Sequence, residues 1–180
     1  MKGIAFGTPH AVESHVSSRD EPTVLFCTGD DRQLDSFISA IQHEHPPGDW
    51  EVRVLRGERM VTWDGMLDEV SAALQFPFYF GRNAPALLDC LSDLAWMPSP
   101  CIVLVVTHVD EMLADAQGDA HDVLIINCLR AAARWREGIV WSGDETEYRA
   151  FHLILQTQEP VTVLDRVPAL RDVQLGHFAL

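Results

Sequence analysis

The chain has 180 residues, 47% of them apolar, and carries 13 Lys and Arg against 27 Asp and Glu, for a formal net charge of -14. This balance argues against a binder of the phosphate backbone, whose affinity needs clustered cations; it suits a solvated acidic surface or a basic partner. The length allows one domain with an added element, and a domain of this size hides roughly 70% of its unfolded-chain surface without a disulfide or metal staple. No apolar run reaches the ~18 residues of a membrane span. The opening Met1-Lys2-Gly3-Ile4-Ala5-Phe6 lacks the apolar stretch of a signal peptide, so a cytoplasmic location is expected. Cys27, Cys90, Cys101 and Cys128 show no paired short spacing and sit in apolar runs, where a free thiol acts as a small hydrophobe rather than a metal ligand.

Residues 1 to 22 show no period and read as a flexible arm. Thr23 to Thr28 is a short apolar strand, followed by a turn at Gly29-Asp30-Asp31. Leu34, Phe37, Ile38 and Ile41 recur at helical spacing, which predicts a helix to about His43 with Asp30 or Asp31 as its cap. His45-Pro46-Pro47-Gly48 breaks that pattern. Glu51 to Arg56 alternates like a strand. The next helix puts Trp63, Met66, Leu67, Val70 and Leu74 on one face, with Asp64, Asp68 and Glu69 largely on the other.

An aromatic loop, Phe76-Pro77-Phe78-Tyr79-Phe80-Gly81, leads to a helix from 84 to about 94. Asn83 suits its N-cap, and Pro85 its first turn, where a missing N–H costs little. Cys101 to Thr107 has no polar alternation and predicts a central strand covered on both faces. A short helical piece is expected at 110 to 116 and a turn at Gly118-Asp119. A helix from about His121 to Arg136 should bury Leu124, Ile125, Cys128, Leu129 and Ala132. Phe151 to Gln156 is the last expected strand, and the final twenty residues read as a loosely packed tail. Strands alternating with helices imply an α/β fold: a parallel sheet of three to four strands flanked by helices.

Motifs of common catalysts are absent: the chain holds no phosphate-binding glycine loop and no nucleophile elbow. His43 and His45 are two apart, not the four that place two ligands on one helical face. His108 and Asp110 follow the central strand, where α/β enzymes place catalytic groups, and His121 lies beside Asp122; a solvated loop and a helix N-terminus explain both as well. The helix at 84 to 94 is more informative. Leu87, Cys90, Leu91 and Leu94 must face the core, which turns Pro85, Leu88, Asp89 and Ser92 outward. An apolar residue beside a carboxylate on such a face is either a binding patch or covered by a loop. Among the aromatics before it, some rings must be core, while a Tyr can bury its ring and offer its hydroxyl to a partner.

The segment Phe76-Pro77-Phe78-Tyr79-Phe80-Gly81-Arg82-Asn83-Ala84-Pro85-Ala86-Leu87-Leu88-Asp89-Cys90-Leu91 resembles the signature of the barstar family, inhibitors of barnase-type ribonucleases. The shared pattern is a proline, an aromatic pair, Gly-x-Asn, then Ala-Leu-x-Asp-x-Leu, and the resemblance extends over roughly 50 to 158. It implies a barstar-like fold and a protein that plugs a cationic active site with an acidic helix face. It further implies that Asp89 occupies the enzyme's phosphate site, that Tyr79 contacts the enzyme, that Gly81 and Asn83 shape the loop and cap, and that Leu88 stands where a contact tryptophan is usual. Pro85 replaces an acidic contact residue, and Ala131 aligns with a second. Arg82 adds a positive charge beside the patch.

The organisation expected is an arm at 1–22, a strand–helix extension at 23–48, a barstar-like domain at 49–159 and a tail at 160–180. The extension's strand can either join the sheet edge beside 51 to 56, through a right-handed crossover, or serve self-association, and the sequence does not choose between them. The function expected is an inhibitor or immunity protein for a basic, extracellular-type ribonuclease toxin, with Asp89, Tyr79, Leu88, Asn83, Gly81, Pro85 and Ser92 as partner-binding residues. No cofactor, metal, nucleic acid or membrane enters that reading. The alternative is an interaction module of the same fold with a non-nuclease partner; an enzyme centred on His108 and Asp110 ranks last.

Overall fold

Why the strands take their places follows from how each is buried. The computed structural model describes residues 4–6, 23–46, 48–115, 120–140, 146–157 and 175–179. Its elements are β1 (Ile4–Phe6), β2 (Thr23–Thr28), α1 (Asp31–Glu44), β3 (Trp50–Arg56), a 3-10 turn (Gly57–Arg59), α2 (Trp63–Ala73), α3 (Ala84–Asp93), β4 (Cys101–Thr107), α4 (Ala120–Glu137), β5 (Ile139–Val140), β6 (Thr146–Glu147), β7 (Ala150–Gln156) and β8 (Leu175–Ala179). All but β5 and β6, which form a small antiparallel pair, join one six-stranded sheet in the order β1-β8-β2-β7-β4-β3. Every pairing in that sheet is parallel.

Each residue of β4 and of β7 is buried, as a strand flanked on both sides and covered on both faces requires. β3 is only partly covered: Val52 and Leu55 are buried, one on each face, while Val54 and Arg56 are exposed, so it can stand at an edge at little cost. This corrects the reading that places the N-terminal strand beside 51 to 56. β2 pairs with β7, setting Leu25 against Ile154, and not with β3. An apolar strand such as β7 gains from a second neighbour; a charged one such as β3 does not need it. Two further corrections concern the chain ends. Ile4–Phe6, inside the expected arm, is a strand, and Leu175–Ala179, inside the expected tail, is a strand between β1 and β2. The rest of both stretches lies outside the described residues, as does the expected turn at Gly118-Asp119.

Helices cover both faces. Leu34, Phe37 and Ile41 of α1 pack on Leu25, Val52, Val103, Val105 and Ile154. On the other face α2, α3 and α4 enclose the larger core around Leu55, Ile102, Leu104, Val106, Leu153 and Leu155. Alternate residues of β4 thus feed two separate cores. α1 is opened by a reciprocal cap: Asp30 Oδ1 accepts from Gln33 N at 2.8 Å, and Gln33 Oε1 accepts from Asp30 N at 2.9 Å. The helix expected at 110 to 116 is a run of turns. Leu113 N donates to Met60 O at 2.7 Å and Asp115 N to Val61 O at 2.9 Å, and His108 and Leu113 have φ of 45° and 57°, which no right-handed helix accommodates.

Glu69, expected on a solvated face, is buried. Its carboxylate accepts from Arg56 N at 3.2 Å and Arg56 Nε at 2.7 Å. Burial alone works against its charge, but the hydrogen bonds from Arg56 and the charges of Arg56 and Arg59 outweigh it and hold the carboxyl below its ordinary range.

Candidate functional site

The loop before α3 divides its aromatics by a single turn. Phe80 N donates to Pro77 O at 2.9 Å, which turns the chain back and leaves Phe78 and Tyr79 at the tip. Phe76 and Phe80 meet edge to face at 5.0 Å, and Phe76 meets Trp96 at 6.2 Å. Trp96 Nε1 donates to Leu74 O at 2.8 Å, fixing that ring at the end of α2. Phe78 and Tyr79 instead pack on each other at 5.9 Å; Phe78 is 102% exposed and Tyr79 66%. A wholly exposed phenylalanine at a loop tip was not among the residues expected to bind. Its signal was its place between Pro77 and Tyr79, since a turn closed from Phe80 to Pro77 must point both intervening side chains outward.

Arg82 continues the loop in the left-handed region, with φ of 50°, an uncommon conformation for a side chain of its size. Its guanidinium turns back to α2: Nη1 bonds the carboxylate of Asp68, and Nη2 lies 3.7 Å from Asp64 Oδ1. The positive charge expected beside the patch is therefore directed at two carboxylates of α2. Gly81 and Asn83 act on the helix terminus. Asn83 Oδ1 accepts from Ala86 N at 2.9 Å, and Asn83 Nδ2 donates to Gly81 O at 3.0 Å. A Cβ on Gly81 would lie 3.2 Å from Asn83 Nδ2 and 3.3 Å from Ala86 Cβ, so the glycine allows the loop to close on its cap.

On α3, Leu87, Cys90, Leu91 and Leu94 are buried. Pro85 and Asp89 are exposed and Leu88 is half-buried. Ser92 departs from its expected outward position. It is buried, and Arg134 Nη1 of α4 donates to its Oγ at 3.0 Å. The two helices run parallel and close together: Asn127 Nδ2 donates to Ala84 O at 3.0 Å, and Trp135 Nε1 to Leu91 O at 3.1 Å. That packing covers one flank of the expected stripe. Ala131 is also fully buried, so it is not a surface contact position; the exposed positions nearby on α4 are Arg130 and Arg134. Beyond the helix, buried Arg149 donates from Nη1 to Leu94 O at 3.0 Å and Met97 O at 2.6 Å, and lies 4.5 Å from the Trp135 ring centre. α3 is thus held at both ends, by an asparagine at its start and an arginine on its last carbonyls.

The sheet's carboxyl edge is built differently. His108 Nε2 lies 3.4 Å from Asp31 Oδ1, and Nδ1 lies 3.5 Å from Glu58 Oε2. Its backbone N donates to Gln156 Oε1 at 2.7 Å, and Gln156 Nε2 donates to Gly29 O at 2.8 Å, tying the ends of β4, β7 and β2 together. Asp110 Oδ1 accepts from Thr157 Oγ1 at 3.3 Å. His45 stacks on Trp50 at 4.0 Å, and His43 is exposed. The side chain of His121 lies outside the described residues. No group of three or more His, Cys, Asp or Glu side chains able to hold a metal ion occurs among the described residues. All four cysteines are buried and free, and burial pushes the Cys27 and Cys128 thiols up to about 12. No helix among the described residues is long and apolar enough to cross a membrane.

Fold and surface together are those of a small α/β domain that presents one capped helix and the turn before it to the outside. The chain belongs to the Barstar family: the family model Barstar (barnase inhibitor) matches residues 50–156, from the first residue of β3 to the last of β7. Members of that family are inhibitors rather than enzymes. A search of curated proteins returned no match to the chain.

Proposed function

We propose that this chain is a cytoplasmic inhibitor, of the immunity-protein kind, that blocks the active site of a basic ribonuclease toxin. The observation that carries the reading is the pairing of an exposed aromatic turn, Phe78 and Tyr79, with an exposed carboxylate, Asp89, on the rigidly capped helix α3. Residues 49–159 are the inhibitory domain and 23–48 its extension. Asp89 takes the place of a substrate phosphate, Tyr79 and Leu88 are the anchors, Gly81 and Asn83 hold the loop, and Pro85 borders the contact. The chain's net charge of -14 draws a cationic partner toward it.

A second reading has its own support. Pro85 is exposed without a charge, and Arg130 and Arg134 are the exposed residues of α4 beside this surface. A face with one carboxylate and two arginines also suits an interaction module whose partner is not a nuclease. Titration into a basic barnase-type ribonuclease, following RNA cleavage, separates the two. Dose-dependent inhibition is expected, and Asp89→Ala should weaken it by about 2–5 kcal/mol, the usual cost of unpairing a charge in an interface. Absence of inhibition at micromolar concentration would overturn the nuclease reading and favour the module.

A further inference from the structure

β3 ends the sheet, with β4 its only neighbour among the described residues. Its backbone shows which groups face out. Asp49 O accepts from Cys101 N at 3.2 Å and Leu55 O from Thr107 Oγ1 at 3.5 Å, so alternate residues from Asp49 to Leu55 address β4. Arg56 N instead donates to Glu69 Oε1 at 3.2 Å, on the side away from β4. Since lateral direction alternates along a strand, Trp50, Val52 and Val54 also direct their N–H and C=O groups outward, and no described residue supplies partners for them. Val54 is 37% exposed, one of few large apolar side chains so placed.

We propose that this open edge pairs with β3 of a second copy of the chain, antiparallel and centred on Val52. A two-fold axis at Val52 sets each outward-facing residue against another: Val52 on Val52, Trp50 on Val54. It sets Glu51 opposite Arg53 of the second copy, and Arg53 opposite Glu51, on one face and at the closer, non-hydrogen-bonded positions. Within one chain the same two side chains already pair at 2.7 Å, so the dimer would join four alternating charges across the axis. Competing arrangements fail on residues already described. Parallel, in-register pairing sets like charges side by side. An antiparallel axis at Val54 requires the Arg56 N–H, which Glu69 occupies. Glu69 therefore blunts one end of the edge and selects the register.

The interface is separate from the surface proposed for the toxin, and its test is the oligomeric state of the full chain by sedimentation equilibrium. A reversible dimer with micromolar dissociation is expected, since one strand pair is a small interface. Arg53→Glu and Glu51→Arg should each weaken self-association by about tenfold or more, because every cross-axis charge pair turns repulsive. Mixed in equal amounts, the two variants should form a heterodimer, because each then offers the charges the other lacks. Val54→Pro, which removes an outward N–H and is tolerated at an edge, should also dissociate the dimer; circular dichroism confirms that each variant is folded. A wild-type chain that stays monomeric through the micromolar range overturns the proposal. So does a dimer that survives Arg53→Glu, or a mixture of the two charge variants that does not associate.

Discussion

Of the five described residues with side chains in left-handed backbone, two stand at opposite kinds of place: Arg82 in the loop before α3 and His108 after β4. Around His108 the unusual backbone serves a seam. The ring sits between Asp31 and Glu58, the amide meets Gln156, and the ends of β2, β4 and β7 converge on it. Around Arg82 the same conformation serves a display. The guanidinium is anchored back on α2, while Phe78 and Tyr79 project from the other side of the turn. Backbone of this kind is often taken to mark function; here one instance closes the sheet and the other shapes a surface. What distinguishes them is exposure of the neighbouring side chains.

Breaking the seam should give the largest change in stability. Gly57 approaches it so closely that a Cβ there would lie 2.3 Å from both Thr107 O and His108 O. Neither backbone oxygen can move without disturbing β4. Gly57→Ala should therefore cost about 1–3 kcal/mol or more, as overpacking does, seen as a lower urea midpoint with little change in slope. Equal midpoints would mean that the strand ends separate freely. The display is held more loosely. Asn83→Ala removes both the cap on α3 and the bond to Gly81 O, and should cost about 1 kcal/mol. The same substitution should weaken partner binding, because the turn carrying Phe78 and Tyr79 is no longer tied to the helix. A variant with unchanged binding would show that the cap does not position the turn.

Much of this architecture can be read from residue pattern. The unbroken apolar run Cys101–Thr107 specifies a strand buried on both faces, and Asn83-Ala84-Pro85 specifies a helix start; both stand as expected. What the pattern conceals is pairing between distant segments. β2 could neighbour either β3 or β7 on its own composition, and the choice depends on which of those strands loses more by staying open. Ile4–Phe6 and Leu175–Ala179 are too short and too mixed to announce themselves, and become strands through each other and β2. Helical spacing likewise placed Ser92 outward and Glu69 on a solvated face. Each is buried by a long side chain from elsewhere, Arg134 in one case and Arg56 in the other. Spacing within one helix cannot register such partners. The exposed tip at Phe78 is a different case: its apolar character argues for burial, and only the turn geometry reverses that argument.

The smallest expected effect on stability gives the sharpest reading of the display. Phe78 is fully exposed and touches little beyond Tyr79. An isolated exposed apolar side chain carries no folding energy that its removal would forfeit, so Phe78→Ser should leave the unfolding midpoint within about 0.5 kcal/mol of wild type. Exposed apolar surface that contributes nothing to folding is retained against its cost in solubility, which points to use in association. Partner affinity should then fall by about tenfold or more, in the range of an aromatic interface anchor, with no change in fold to confuse the comparison. If affinity is unchanged, the aromatic tip lies outside the contact, and the binding surface contracts to Asp89, Leu88 and their neighbours on α3. The result distinguishes a surface centred on the turn from one centred on the helix.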